Sequence, residues 1–125
     1  MSDILVVEDE AQQRSEIAEA LQQAGHRVDT ASGGNQALAR LQEKRVDLLI
    51  TDLLMEEGTG FDVLHWVQEK APGLPVIVCS SYAKSETLKS FLPTQLYRIL
   101  RKPFRTEDLV EQVRELLASS TSEQI

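Results

Sequence analysis

The residues best suited to chemistry in this sequence stand at the ends of short apolar runs. Glu8, Asp9 and Glu10 follow Ile4-Leu5-Val6-Val7, and Asp52 follows Leu48-Leu49-Ile50-Thr51. Ser80 and Ser81 follow Val76-Ile77-Val78-Cys79, and Lys102-Pro103-Phe104 follows a weaker run from Leu96 to Leu100. Carboxylates gathered in a small pocket repel one another unless a cation joins them. Their oxygens suit a hard ion such as Mg²⁺, which keeps waters and takes one or two carboxylates with a phosphate. A carboxylate can also attack phosphorus and become an aspartyl phosphate. The equatorial oxygens of the transferring group then need cationic and hydroxyl donors. Asp52 as acceptor, Glu8 and Asp9 as metal holders, and Ser80 and Lys102 as phosphate ligands would supply each part.

Each of these residues also has an ordinary structural explanation. Asp after a strand often forms a turn. Glu8 and Asp9 could simply open a helix, where acids favour the positive end of the dipole. A serine can cap a helix, and a lysine is usually a solvated charge. The functional reading rests on the combination, because four separate strand ends carry complementary groups. His26 and His65 have no metal-ligand spacing and suit surface or boundary packing. Trp66 suits a partly buried place on a helix.

The elements that must position these groups alternate along the chain. Ile4–Val7, Val46–Ile50 and Val76–Cys79 are apolar throughout and rich in β-branched residues, as central parallel strands covered on both faces are. Arg27–Ala31 and Leu96–Leu100 are weaker strands, expected nearer the edges. Between them, Ile17, Ala20, Leu21 and Ala24 form a helical stripe that stops at Gly25. Ala37, Leu38 and Leu41 mark a second helix. Thr59 opens a capping box for a third, which carries Val63, Leu64 and Val67 and ends before Pro72. Leu88, Phe91 and Leu92 suggest a short fourth helix stopped by Pro93. Thr106 caps a fifth, with Leu109, Val113, Leu116 and Leu117 toward the core. Five β–α units in succession predict an α/β fold with a parallel sheet, right-handed crossovers and helices on both faces. Ligands bind such a sheet at the carboxyl ends of its strands, where the strand order reverses. The expected domain spans residues 1–118, and residues 119–125 read as a polar tail or the start of a linker.

Bulk composition narrows the function classes. The 125 residues suit one core, and 42% of them are hydrophobic. A net charge of −7, from 20 acids against 13 bases, disfavours direct nucleic-acid binding by this segment. One cysteine, Cys79, excludes an internal disulfide and suits a reducing compartment. No stretch is long enough to span a bilayer, and nothing resembles a signal peptide. The expected location is the cytoplasm.

These segments together resemble the receiver domain of bacterial response regulators, the CheY-like domain of two-component systems, over residues 3 to about 118. The resemblance is carried by Ile4-Leu5-Val6-Val7-Glu8-Asp9-Glu10, by Asp47 through Met55, by Pro75 through Ser80, and by Lys102-Pro103-Phe104. Spacing agrees as well: 28 residues from Asp52 to Ser80 and 22 from Ser80 to Lys102. It implies a flavodoxin-like (βα)5 fold with strand order 2-1-3-4-5. A histidine kinase or histidine phosphotransfer protein would phosphorylate Asp52 in a Mg²⁺-dependent reaction. Asp9, Asp52 and the Leu54 backbone carbonyl would ligate Mg²⁺, and Glu8 would act directly or through water. Such a domain is a signalling module, not an enzyme for an external substrate. It catalyses only its own phosphorylation and slow autodephosphorylation, and it switches a partner or a downstream effector domain.

Three positions depart from the family's pattern. Glu56 replaces a usual proline, Ile99 stands where Tyr or Phe is usual, and Leu92-Pro93-Thr94-Gln95 lacks the usual Gly-Ala pair. The phosphorylation site is complete, whereas the output side is unusual. The altered output side keeps open a degenerate receiver that binds partners without phosphorylation. A nucleotide binder is disfavoured because the loop Glu8-Asp9-Glu10-Ala11-Gln12 would repel a phosphate unless a metal intervenes, where such folds carry a glycine- or hydroxyl-rich phosphate loop. A hydrolase is disfavoured because Leu53-Leu54 offers no second acid beside Asp52.

Overall fold

A computed structural model describes residues 2–52, 60–80 and 97–123. Five strands, β1 (Asp3–Val7), β2 (Arg27–Ala31), β3 (Leu48–Thr51), β4 (Val76–Ser80) and β5 (Tyr97–Arg101), form one sheet. Its order is β2-β1-β3-β4-β5, with every pairing parallel. The described helices are α1 (Ala11–Gln23), α2 (Gly34–Glu43), α3 (Gly60–Lys70) and α4 (Thr106–Glu123). The sequence-predicted helix at Leu88, Phe91 and Leu92 and the Thr59 cap lie outside the described residues, as do Ser81, Tyr82 and Leu54.

Strand side chains alternate between faces, so each uninterrupted apolar run feeds two cores. Ile4, Val6, Leu48, Ile50, Ile77 and Cys79 pack with Ile17 and Leu21 of α1 and with Leu109, Val113 and Leu116 of α4. Leu5, Val7, Leu49, Val76 and Val78 pack on the other face with Ala37 and Leu41 of α2 and with Val63, Leu64 and Val67 of α3. Full burial of each such aliphatic side chain stabilises by about 1.5–3 kcal/mol. The helical stripes read from sequence are therefore the buried faces. Trp66 and Ile99 are half-buried against the second of these cores.

Several strand ends differ from the sequence expectation by one residue, and two boundaries differ by more. The third strand runs Leu48–Thr51, because Val46 is only half-buried and Asp47 is exposed. The last helix continues to Glu123, so the polar tail expected from Ser119 is helical over most of its length. Adding residues to a formed helix is far easier than nucleating one, and Ser and Thr cost only tenths of a kcal/mol each. At the other end of the chain, α1 begins after Glu10. The Glu10 carboxylate accepts from the Gln12 and Gln13 amides at 3.0 and 2.8 Å. Capping thus falls to Glu10, not to Glu8 or Asp9.

Candidate functional site

The strand order reverses between β1 and β3: from β1 the chain goes outward to β2 and then returns to β3 on the other side. Register sets Val7 beside Thr51, and the Asp52 amide donates to the Val7 carbonyl at 3.2 Å. The residues leaving β1 and β3 must therefore meet. Carboxylate oxygens of Glu8, Asp9 and Asp52 all lie within 4.8 Å of one another. Glu8 is 3% exposed and Asp52 8%, whereas Asp9 faces solvent.

The counter-charge comes from the far side of the sheet. Ser80 and Arg101 are paired at the ends of β4 and β5, and the Lys102 amide donates to the Ser80 carbonyl at 3.4 Å. This carries the next side chain back across the strand ends. Lys102 Nζ donates to Glu8 Oε1 and to Asp52 Oδ2, both at 2.6 Å. Ser80, also buried, closes β4 beside it.

Electrostatics follow from this geometry. Burial pushes the Glu8 carboxyl up, against the lowering effect of the Lys102 and Glu10 hydrogen bonds. Burial alone would lower the Lys102 ammonium, but hydrogen bonds and charges from Asp52 and Glu8 outweigh it and hold the group above its ordinary value. Cys79, one residue before Ser80, has its thiol pushed up to about 12 by burial, which makes it a packing residue and not a nucleophile.

The donor set fits a hard divalent ion. Mg²⁺ takes one or two such carboxylates directly and completes its shell with waters, so three carboxylates drawn this close together suit one ion. Among the described residues, three carboxylates gather around the Lys102 ammonium, an arrangement that attracts a cation.

A sequence profile described as the response regulator receiver domain matches residues 4–114. The chain belongs to that family. Among its relatives, the response regulator receiver protein CpdR of Brucella abortus is 30% identical over 120 residues, covering 96% of this chain and all of CpdR. The probable transcriptional regulatory protein TcrX of Mycobacterium tuberculosis is 32% identical over 114 residues, 91% of this chain. This chain spans only about half of TcrX, at 49%, and about a quarter of the transcriptional regulatory protein ZraR of Escherichia coli, at 27%. The chemotaxis protein CheY4 of Vibrio cholerae superposes with a TM-score of 0.81 at 30% identity, over 93% of this chain and 98% of that one. The receiver is thus a two-component signalling domain with the CheY-like fold.

Of the residues singled out from sequence, Glu8, Asp9, Asp52, Ser80 and Lys102 stand at one edge of this receiver's sheet, and Leu54 lies outside the described residues. Sequence reasoning missed the Lys102–Glu8 contact and the role of Arg14, whose Nη1 donates to the Glu8 carbonyl at 2.9 Å. A cavity of about 770 Å³ lies at the opposite, amino ends of the strands, lined by Lys44, Arg45, Trp66, Lys70 and Leu74 among others. Its lining mixes Lys44, Arg45 and Lys70 with Glu43 and Asp47.

Proposed function

We propose that this receiver accepts a phosphoryl group on Asp52 from a histidine kinase or histidine phosphotransfer protein and uses the acyl phosphate to switch a partner or effector domain. The observation that carries the proposal is the Lys102 ammonium held 2.6 Å from Asp52 beside two further carboxylates. An Asp52 oxygen attacks the phosphorus of the donor's phosphohistidine. A P–O bond forms as the P–N bond breaks, and the imidazole leaves with the electron pair. Lys102 turns from the carboxylate toward an equatorial phosphoryl oxygen, and the Ser80 hydroxyl donates to another. Glu8, Asp9, Asp52 and the Leu54 carbonyl would hold Mg²⁺, which when bound offsets the negative charge that donor and acceptor bring together. No external substrate is turned over.

The receiver unit is proposed to span residues 1–118, with α4 running on to Glu123 through the stretch read from sequence as a tail. An output through a following domain fits relatives such as TcrX and ZraR, whose names make them transcriptional regulatory proteins longer than this chain. A reducing cytoplasm fits the buried Cys79 thiol. No described helix is long and apolar enough to cross a membrane. The phosphorylation-independent alternative has no support from the site, whose acids and lysine are all in place. Intact mass after incubation with acetyl phosphate, with and without Mg²⁺, tests the proposal. Gain of one phosphoryl group only with Mg²⁺ is expected, and no gain under either condition would overturn it.

A further inference from the structure

Arg14 lies three residues before Ile17 on α1, and therefore on the same side of the helix as the buried pair Ile17 and Leu21. That phase turns a long cationic side chain toward the sheet, at the end of the helix nearest the acidic loop. Arg14 is half-buried there, and its Nη1 donates to the Glu8 carbonyl at 2.9 Å. The Glu8 carbonyl is half of the peptide unit that joins Glu8 to Asp9. On its other side, Glu8 is fixed by its amide, which donates to the Ala31 carbonyl at 3.0 Å. Its Oε2 accepts from the Glu10 amide at 3.2 Å. With the Arg14 bond made, the peptide plane from which Asp9 departs has little rotational freedom. Asp9 is the exposed acid of the three, so its direction depends most on that backbone.

We infer that Arg14 is a positioning residue for the cation site: by binding the Glu8 carbonyl it holds the Asp9 carboxylate beside those of Glu8 and Asp52. The inference rests on the reading that these three acids hold Mg²⁺. A guanidinium bond to a carbonyl is charge-assisted and among the stronger hydrogen bonds, and groups that orient metal ligands commonly change affinity tenfold or more. Two other hydrogen bonds also hold this loop, which places the expected effect at the low end of that range.

The experiment is calorimetric titration of MgCl₂ into the wild type, Arg14→Ala and Arg14→Lys, paired with melting temperatures in chelator. Arg14→Ala should bind Mg²⁺ about tenfold more weakly while its metal-free melting temperature falls by only a few degrees. Arg14→Lys, which keeps a cationic donor, should recover most of the affinity. Unchanged Mg²⁺ affinity in Arg14→Ala would overturn the inference, and so would an equal loss in both variants that follows lost stability. If Arg14→Ala does not fold, Arg14→Gln takes its place under the same criteria. Failure of the wild type itself to bind Mg²⁺ would remove the cation reading and this inference with it, whereas wild-type binding matched by Arg14→Ala removes only the role of Arg14.

Discussion

Lys102 and Glu8 are 94 residues apart in the chain and 2.6 Å apart in the fold, Nζ to Oε1. The same ammonium reaches Asp52 at 2.6 Å, so one cation ties the ends of β1, β3 and β5 together. Removing it takes one ammonium away from two largely buried carboxylates. Lys102→Met should therefore destabilise the metal-free protein by about 1–3 kcal/mol, and Mg²⁺ should restore part of the loss. The pH dependence has a definite sign. The folded-state value of Lys102 is raised, so its contribution is complete below the unfolded value of ~10.4 and is lost as pH rises through the folded value. Denaturation curves of both proteins from pH 7 to 11 check this: their difference should be constant at first and shrink at the alkaline end. A difference that grows with pH would contradict it.

Glu8 also has a raised folded-state value, so its pH dependence has the same sign as that of Lys102: stability falls as pH rises. Burial raises its carboxyl, so the ionised form costs stability in the folded state, and that cost is relieved as pH falls through the raised folded value. Glu8→Gln keeps an acceptor for Lys102 and removes the charge. In chelator its melting temperature should equal or exceed that of the wild type, while its gain from millimolar Mg²⁺ should be smaller. A variant several degrees less stable in chelator, with a full response to Mg²⁺, would show that Glu8 is not part of a repulsive cation site.

Lifetime of the acyl phosphate is expected to depend on Leu54 and Tyr82, two residues past Asp52 and Ser80 in sequence. Neither carries a carboxylate or amide to orient an attacking water, so spontaneous dephosphorylation should be slow. Replacing both with small polar residues should shorten the half-life severalfold, measured by loss of phosphoryl mass over time. An unchanged or longer half-life would count against this.

The output side makes a further prediction. Ile99 is half-buried against the core beside α2 and α3, where a β-branched side chain has restricted χ1 and no ring to swing. Signal transmission is therefore expected through the segment Lys84–Gln95, which lies outside the described residues. Hydrogen exchange with and without beryllium fluoride reports on it: protection in this segment should change on activation. Strong protection in both states, with changes confined to Asp52 and Ser80, would show that the signal takes another route.

Much of this was legible in the sequence, for identifiable reasons. Runs such as Ile4–Val7 and Val76–Cys79 are short, β-branched and apolar on both alternating faces, which suits a covered parallel strand, and the five β–α units set the architecture. Apolar runs define their own ends poorly, so Val46 and Asp47 were counted with β3 although neither is buried. Ser119–Glu123 carry no apolar stripe, and their helical state comes from propagation along α4, which leaves no pattern to read. In the site, the acids, serine and lysine were visible because each follows a strand. Arg14 was not, because its partner is a backbone carbonyl and such a bond has no sequence signature. The Lys102–Glu8 pair was missed because lysine was assigned to the phosphoryl group, and the sequence gives no view of what it binds beforehand.

The central claim is that Asp52 is the phosphoacceptor, and the direct measurement is intact mass of the wild type and Asp52→Asn after equal exposure to acetyl phosphate and Mg²⁺. The substitution is close to isosteric and keeps an acceptor for Lys102, so both proteins should show a folded circular dichroism spectrum. The wild type should gain one acid-labile phosphoryl group and Asp52→Asn none. Phosphorylation of Asp52→Asn at the wild-type rate would contradict the account.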